Sequence, residues 1–365
     1  MVKLSQTGLG RSDPITQYLA LSSRIFRELV HTQAFQRLEQ IRFLGAIDYL
    51  VIRAPNGAVG YERYTRYEHS VGVAWLALLY SEAEGLTSQD RDLLTAAALL
   101  HDIGHAPLSH SLEPVFFQEF DIEHHGATES IILGEVPLGR DVHAVLKRYS
   151  VDSDRLLSLI GGEDASFHCF MNGPINFDTI EGILRSLRYF DSTPSFPTPE
   201  AVLEAATRRS VEADQNIVDR FWLAKDYVYQ YLINSREGIF ADQICKVFFL
   251  ENLKQHDRRS ESRINTDDYY STEAEIFRKL PGLRELLIDP NYDHLIASKL
   301  TDPIKFKHRR FYVDSSADFF SRDDSKRYKQ TKESLVYSLK APLTTEHEQD
   351  LFDGSHRKSS IPRRS

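Results

Sequence analysis

His101-Asp102-Ile103-Gly104-His105-Ala106-Pro107-Leu108-Ser109-His110 crowds imidazoles and a carboxylate into one short stretch. It follows Leu93-Leu94-Thr95-Ala96-Ala97-Ala98-Leu99-Leu100, a run of good helix formers that reads as a helix buried on most sides. Gly104 and Pro107 prevent that helix from continuing, so side chains that would diverge on a regular helix can converge at its end. Imidazole nitrogen with carboxylate oxygen suits a divalent transition metal or magnesium; a closed thiolate zinc site needs cysteines this stretch lacks. A lone His-Asp pair reads more simply as a satisfied helix cap. Here the balance shifts toward a metal, because His105 and His110 follow at once and His69 and Asp178 stand in two other helices.

Working upstream, Arg66-Tyr67-Glu68-His69-Ser70 opens a helix running to about Glu84, and Thr87-Ser88-Gln89-Asp90 caps the central helix. Residues 46–65 change period around Pro55-Asn56-Gly57, a small β-hairpin signal. Residues 15–45 read as two helices, with Ile15, Tyr18, Leu19, Ile25, Phe26 and Leu29 on the first apolar face and Gly45 ending the second. Downstream, residues 111–120 form an amphipathic helix with Val115, Phe116, Phe117 and Phe120 as core. Asp121-Ile122-Glu123-His124-His125 leads into another helix, and residues 142–149 and 155–160 supply two more. Asn176-Phe177-Asp178 opens a further helix, where Asp178 either binds metal or merely complements the helix dipole.

Residues 192–199 look like a Pro/Ser/Thr-rich linker. The aromatic helices of 200–256 read as scaffold or subunit contact, 257–268 as an exposed loop, and 269–300 as helix again. Residues 303–313 alternate basic and apolar side chains, as in a half-buried strand with a cationic face, either solvated or an anion or nucleic-acid contact. Residues 341–365 have too little apolar content to order themselves. The domain reading is a core over 1–191, a helical extension with the short basic strand over 192–340 packed on it, and a disordered tail over 341–365.

The chain has 365 residues, 41% hydrophobic and 27% charged, the balance of a soluble globular protein. A net charge of −9 gives no global attraction to nucleic acid or anionic membrane, so any phosphate-binding surface must be local. Cys169 and Cys245 cannot build a disulfide framework and suggest a reducing compartment. Without a membrane-length apolar run or an apolar signal region, the expected location is cytoplasmic.

Arg66-x-x-His69, His101-Asp102 and Asp178, in this order, resemble the HD-domain phosphohydrolases. The dNTP triphosphohydrolase-like branch is the closer resemblance. Phe35-Gln36-Arg37-Leu38 with Leu44-Gly45, residues 65–73, and residues 101–110 are similar to that branch's motifs, over about residues 15–190. The resemblance implies an all-α HD bundle, here with the hairpin near 46–65 and a smaller α+β C-terminal region. It implies that His69, His101, Asp102 and Asp178 hold one divalent ion (Mn, Fe, Zn, Ni or Mg). It further implies that Arg66, His105 and His110 contact substrate phosphate, and that Glu113, where the family has Asp, orients His124 as a proton carrier. The sugar-reading residues depart from the family: Gly182 stands for a tyrosine, Ser186 for an aspartate and Phe43 for a glutamine. His31 and Glu39 replace an aspartate and an arginine at nucleotide-activator positions.

The expected function is therefore a metal-dependent phosphohydrolase acting on a nucleotide, possibly a deoxynucleoside triphosphate triphosphohydrolase and a homo-oligomer. A phosphomonoesterase or phosphodiesterase is the first alternative. A non-catalytic nucleotide- or nucleic-acid-binding protein is the second, supported only by the cationic strip at 305–310.

Overall fold

The computed structural model describes residues 14–164, 166–167, 170–190, 196–257, 260–289, 304–321 and 323–337. Cys169, residues 192–195 of the expected linker and the expected disordered tail lie outside the described residues, as do 290–300 of the region expected to resume helix. The chain is mostly α-helical, with two small antiparallel two-stranded sheets.

Where two N-terminal helices are expected, three short ones form: α1 (Pro14–Ser22), α2 (Arg24–Leu29) and α3 (Gln33–Arg37). The cause is local capping. Ser23 Oγ accepts from Phe26 N at 3.2 Å and Thr32 Oγ1 from Phe35 N at 3.4 Å, so each starts a new helix. Beyond α3 a 3₁₀ turn leads to extended backbone at Ile41, well before Gly45. Tyr18, expected on the buried face, is 46% exposed.

The hairpin signal yields β1 (Ile52–Arg53) and β2 (Val59–Gly60), paired Ile52 with Gly60 and Arg53 with Val59. α4 (Arg66–Ala83) starts on a capping box: Thr65 Oγ1 accepts from Glu68 N at 3.4 Å, and Glu68 Oε2 accepts from Thr65 N at 2.8 Å. That box sets Arg66 and His69 in the first turn. α5 (Ser88–Leu100) packs on α4 and ends at His101, with Leu93 to Leu100 buried. Then come α6 (Glu113–Phe120), α7 (His124–Ile132), α8 (Arg140–Arg148), α9 (Ser153–Ile160) and α10 (Phe177–Leu187). Phe117, expected in the core, is not buried. It is 54% exposed, because adjacent residues of a helix diverge by about 100° and Phe116 already takes the inward direction.

α11 (Pro199–Arg208) and α12 (Glu212–Val228) follow, and α12 runs into a π-helical turn over Tyr229–Ile233. After α13 (Arg236–Gln255), α14 (Glu273–Lys279) and α15 (Leu283–Ile288) the chain forms a long hairpin. Its strands are β3 (Ile304–Val313) and β4 (Tyr328–Tyr337), in a register that runs from Ile304 opposite Tyr337 to Val313 opposite Tyr328. The aromatic residues Phe221, Trp222, Phe240 and Phe249 of α12 and α13 are buried against this chain's own core.

Two hydrophobic cores form, and each draws on both halves of the sequence. One joins α1–α5 and α8–α12 with Phe311 and Tyr328 of the hairpin. The other joins Ala106, Leu108, Leu112, Val115 and Phe116 to α13, α14, α15 and Ile304. Residues 101–112 cross from the first core, where Ile103 sits, to the second. The polar side chains of that segment are thus placed on a seam between the two cores. Among the described residues no helix is long and apolar enough to cross a membrane.

Candidate active site

Three elements aim at one point. His69 comes from the first turn of α4, His101 and Asp102 from the end of α5, and Asp178 from the first turn of α10, which Asn176 caps through Thr179 N at 2.8 Å. His69 Nε2 lies 3.1 Å from Asp178 Oδ1, 3.3 Å from His101 Nε2 and 3.5 Å from Asp102 Oδ2. His101 Nε2 lies 3.5 Å from Asp102 Oδ2 and 3.9 Å from Asp178 Oδ1.

Both imidazoles are locked in the tautomer a ligand needs. His101 Nδ1 donates to Ala98 O at 2.9 Å and His69 Nδ1 to Glu181 Oε2 at 2.6 Å, which leaves both Nε2 lone pairs facing the same spot. Lone pairs 3.3 Å apart repel unless a cation sits beside them. The surroundings supply the charge for one: burial opposes a positive His69, yet Asp178, Glu181 and Asp102 hold its imidazole up to about 9. A proton and a metal ion compete for that same lone pair. Two nitrogens with two carboxylates therefore fit a divalent ion that accepts mixed N/O ligands.

Glu181 is the residue that sequence reasoning passed over. It stands three residues after Asp178, on the same face of α10, and is itself gripped by Arg185, whose Nε donates at 2.9 and 3.1 Å to its two oxygens. Arg185 Nη2 also donates to Glu68 O at 2.9 Å, tying α10 to the start of α4. Glu181→Gln, which can present an amide N–H to His69 instead of an acceptor, should weaken metal affinity about 10–100-fold without unfolding the protein. Titration of the apo protein with Mn²⁺ by calorimetry measures this. An unchanged affinity would remove Glu181 from the site.

Arg66 Nη1 donates to Asp102 Oδ2 at 2.5 Å and Arg66 Nε to Ser109 Oγ at 3.1 Å, while its guanidinium lies 5.2 Å from the Phe43 ring centre. Despite burial, the neighbouring His101 imidazole, the Arg66 guanidinium and the His105 imidazole hold the Asp102 carboxyl well below the usual range. His105 Nε2 meets Asp102 Oδ1 at 3.1 Å, and its buried Nδ1 has no hydrogen-bond partner. Its ring stacks on His124, with centroids 4.6 Å apart and planes 6° apart. Gly104 permits this: a Cβ there would fall 2.4 Å from Thr128 N, so the loop rests directly on the first turn of α7.

Glu113 joins the remaining pair. It accepts from His124 Nδ1 and, at 3.0 Å, from His110 Nδ1. Burial pushes the Glu113 carboxyl up, but these bonds outweigh it and hold the group well below the usual carboxylate range. In return Glu113 lifts His124 above the ordinary histidine value against the effect of burial. The sequence-predicted residues thus form two adjoining groups, the second one comprising His105, His110, Glu113 and His124. Of these His110 is the most open, with 65% of its side chain exposed.

The loop carrying them is held from a distance. Leu108 and Ser109 adopt φ of 58° and 45°, a left-handed backbone that costs non-glycine residues on the order of 1–2 kcal/mol each. Glu273 of α14 compensates, accepting from Leu108 N at 3.2 Å and Arg42 N at 2.7 Å, and Arg37 Nη2 donates to His105 O at 2.7 Å.

Both groups open onto one cavity of about 1020 Å³. Lys225 of α12 lines it, 4.8 Å from the Trp222 ring centre and with Nζ donating to Pro174 O at 3.2 Å. Burial pushes this ammonium down to about 8, against the pull of Asp178. Gly182 and Phe43 line the same wall; a Cβ on Gly182 would lie 3.4 Å from Phe43 Cζ and 3.6 Å from His69 Cε1. Ser186 Oγ is turned to Gly182 O at 2.7 Å.

Residues 66–149 match the family described as HD domain. The uncharacterized protein YwfO of Bacillus subtilis (strain 168) is 34% identical over 143 residues, 38% of this chain and 29% of that protein. The uncharacterized protein MG461 of Mycoplasma genitalium is 31% identical over 249 residues, 62% of this chain and 56% of that protein. The deoxynucleoside triphosphate triphosphohydrolase SAMHD1 of Homo sapiens is 35% identical over 112 residues, 29% of this chain and 16% of that protein. The chain spans less than two thirds of the length of each of these relatives.

Proposed function

We propose that this chain, which carries an HD domain over residues 66–149 and resembles the dNTP triphosphohydrolase-like branch, is a metal-dependent phosphohydrolase acting on a nucleotide. The observation that carries the reading is the meeting of His69, His101, Asp102 and Asp178 within 3.1 to 3.9 Å along the pairs given above. These residues would hold one divalent ion: Mn, Fe, Zn, Ni or Mg. When bound there, such an ion supplies Lewis acidity toward a phosphoryl oxygen and a water made acidic enough to attack near neutral pH.

The remaining steps belong to the protein. Arg66 and His110 face the cavity and would neutralise charge growing on the phosphoryl oxygens, with Lys225 opposite them. His105, which also lines the cavity, steadies Asp102 through Nε2 and supports the ring of His124. His124, whose hold on a second proton Glu113 strengthens, keeps one proton on Nδ1 toward Glu113 and would carry the other on Nε2 toward the cavity. From there it would protonate the leaving oxygen as the phosphorus–oxygen bond breaks.

Triphosphate release from a (deoxy)nucleoside triphosphate is the first form of this reaction, by similarity to SAMHD1. Hydrolysis of a phosphomonoester or phosphodiester is a second reading with its own support. Phe43 packs on His69 with ring centres 4.7 Å apart, and Ser186 is engaged by Gly182 O, so this wall offers few polar groups to a sugar. The metal-loaded protein should be assayed against dNTPs, NTPs, nucleoside monophosphates and cyclic dinucleotides, with products identified. Triphosphate supports the first form, and inorganic phosphate or a linear dinucleotide the second. Absence of turnover with every substrate would contradict an enzyme.

A further inference from the structure

The cavity has a second basic wall that the chemistry above does not use. Lys305, Lys307 and Arg309, alternate residues that share one face of β3, all line it. Their cross-strand partners on β4 are Val336, Ser334 and Lys332. No acid opposes them; instead Arg309 faces Lys332, a like-charge pair that weakens a hairpin. Lys305, Lys307 and Lys332 are exposed and make no ion pair with any described residue. The strand's other contacts anchor it to α12. Asp226 Oδ1 accepts from Arg310 Nε at 3.0 Å and from Phe311 N at 2.9 Å, and Trp222 Nε1 donates to Tyr312 O at 3.0 Å. Arg310 is neutralised, while the row lining the cavity is left charged.

From this arrangement we infer that Lys305, Lys307, Arg309 and Lys332 form a track for the phosphate backbone of a single-stranded nucleic acid whose end enters the cavity. Length decides between this ligand and a mononucleotide. Residues 305 to 309 span about 13 Å of strand, whereas the phosphorus atoms of a triphosphate sit one bridging oxygen apart and cannot reach from one end to the other. Alternate residues on a strand stand about 6.7 Å apart, a spacing close to that of successive phosphates on an extended single strand. A duplex cannot enter a cavity of about 1020 Å³. With a net charge of −9 on the whole chain, such a row is a local attraction in a repelling field. Binding along the track is independent of the phosphohydrolase reading; that the bound end is then hydrolysed rests on it.

The test is fluorescence anisotropy of the full metal-loaded chain with labelled tetra- and dodecathymidylate and the matching oligouridylates, with thymidine triphosphate as the mononucleotide. The expected result is tighter binding of the oligomers than of the triphosphate. The triple variant Lys305→Gln, Lys307→Gln, Lys332→Gln, whose side chains are exposed, should lose about tenfold or more in oligomer affinity. Its slope of log affinity against log salt should flatten by about 2, at roughly 0.7 per phosphate contact. Triphosphate binding and the melting temperature should stay within error of the parent. Oligomers binding no tighter than triphosphate, or a variant that loses both ligands equally, would overturn the inference. The thymidylate and uridylate arms tell DNA from RNA. Length-dependent binding without turnover of any substrate would leave the track standing and sink the phosphohydrolase reading alone.

Discussion

Alanine in place of Asp102 should leave the protein without stoichiometric metal and without hydrolysis. This carboxylate is the hub of the candidate site: Oδ2 lies 3.5 Å from both ligand imidazoles and accepts from Arg66 at 2.5 Å, while Oδ1 meets His105 at 3.1 Å. Losing Lewis-acid support worth several kcal/mol corresponds to a rate lowered by about 10³-fold or more. Alanine also strands the buried Arg66 charge, a change that costs about 3–5 kcal/mol in comparable pairs. Asp102→Asn is therefore made alongside it. The amide lacks the charge but keeps an oxygen that accepts from Arg66, so this variant should fold, melt closer to the parent than the alanine variant does and still lose the metal. Elemental analysis and rate are measured on both. Full activity in a folded Asp102→Asn protein would reject the assignment.

The second large effect separates proton transfer from metal binding. His124→Asn should lower kcat by about 10²–10⁴-fold, with metal content unchanged, because His124 touches none of the four ligands. Its pH profile carries the sharper signature. As an acid, His124 works while protonated, so the parent's rate should fall as pH rises through a value lifted above the ordinary histidine range by Glu113. In the variant that alkaline limb should vanish. A substrate with a good leaving group, such as a nitrophenyl ester, should be much less affected. Equal losses on good and poor leaving groups, or a profile that keeps its alkaline limb, would assign His124 a merely structural part.

The cluster of His69, His101, Asp102 and Asp178 is legible in the sequence because these residues sit at places that local chemistry marks: the first turn of a capped helix for His69 and Asp178, and a helix end broken by Gly104 for His101 and Asp102. What was not legible depends on distant neighbours. Lys225 stands in α12 among apolar residues, where a lysine normally reads as a solvated position. Only the meeting of α12 with Pro174 and Phe311 buries it beside the cavity. Glu273 is some 165 positions from Leu108, whose backbone it holds, and no spacing rule links them. Phe117 and the first helices differ from expectation for a more ordinary reason. Apolar content alone does not say which way a side chain points, and the caps at Ser23 and Thr32 divide a stretch whose apolar spacing is otherwise continuous. The basic strand is visible as an alternation, but that Lys305, Lys307 and Arg309 border the cavity depends on Asp226 and Trp222 of α12, which anchor the strand.

The measurement closest to the central claim is anomalous diffraction from crystals of the metal-loaded protein, collected on either side of the metal's absorption edge. The account predicts one strong peak with His69 Nε2, His101 Nε2 and oxygens of Asp102 and Asp178 at about 2.0–2.2 Å. A peak held instead by His105, His110, Glu113 and His124, or no peak in protein that hydrolyses substrate, would contradict it.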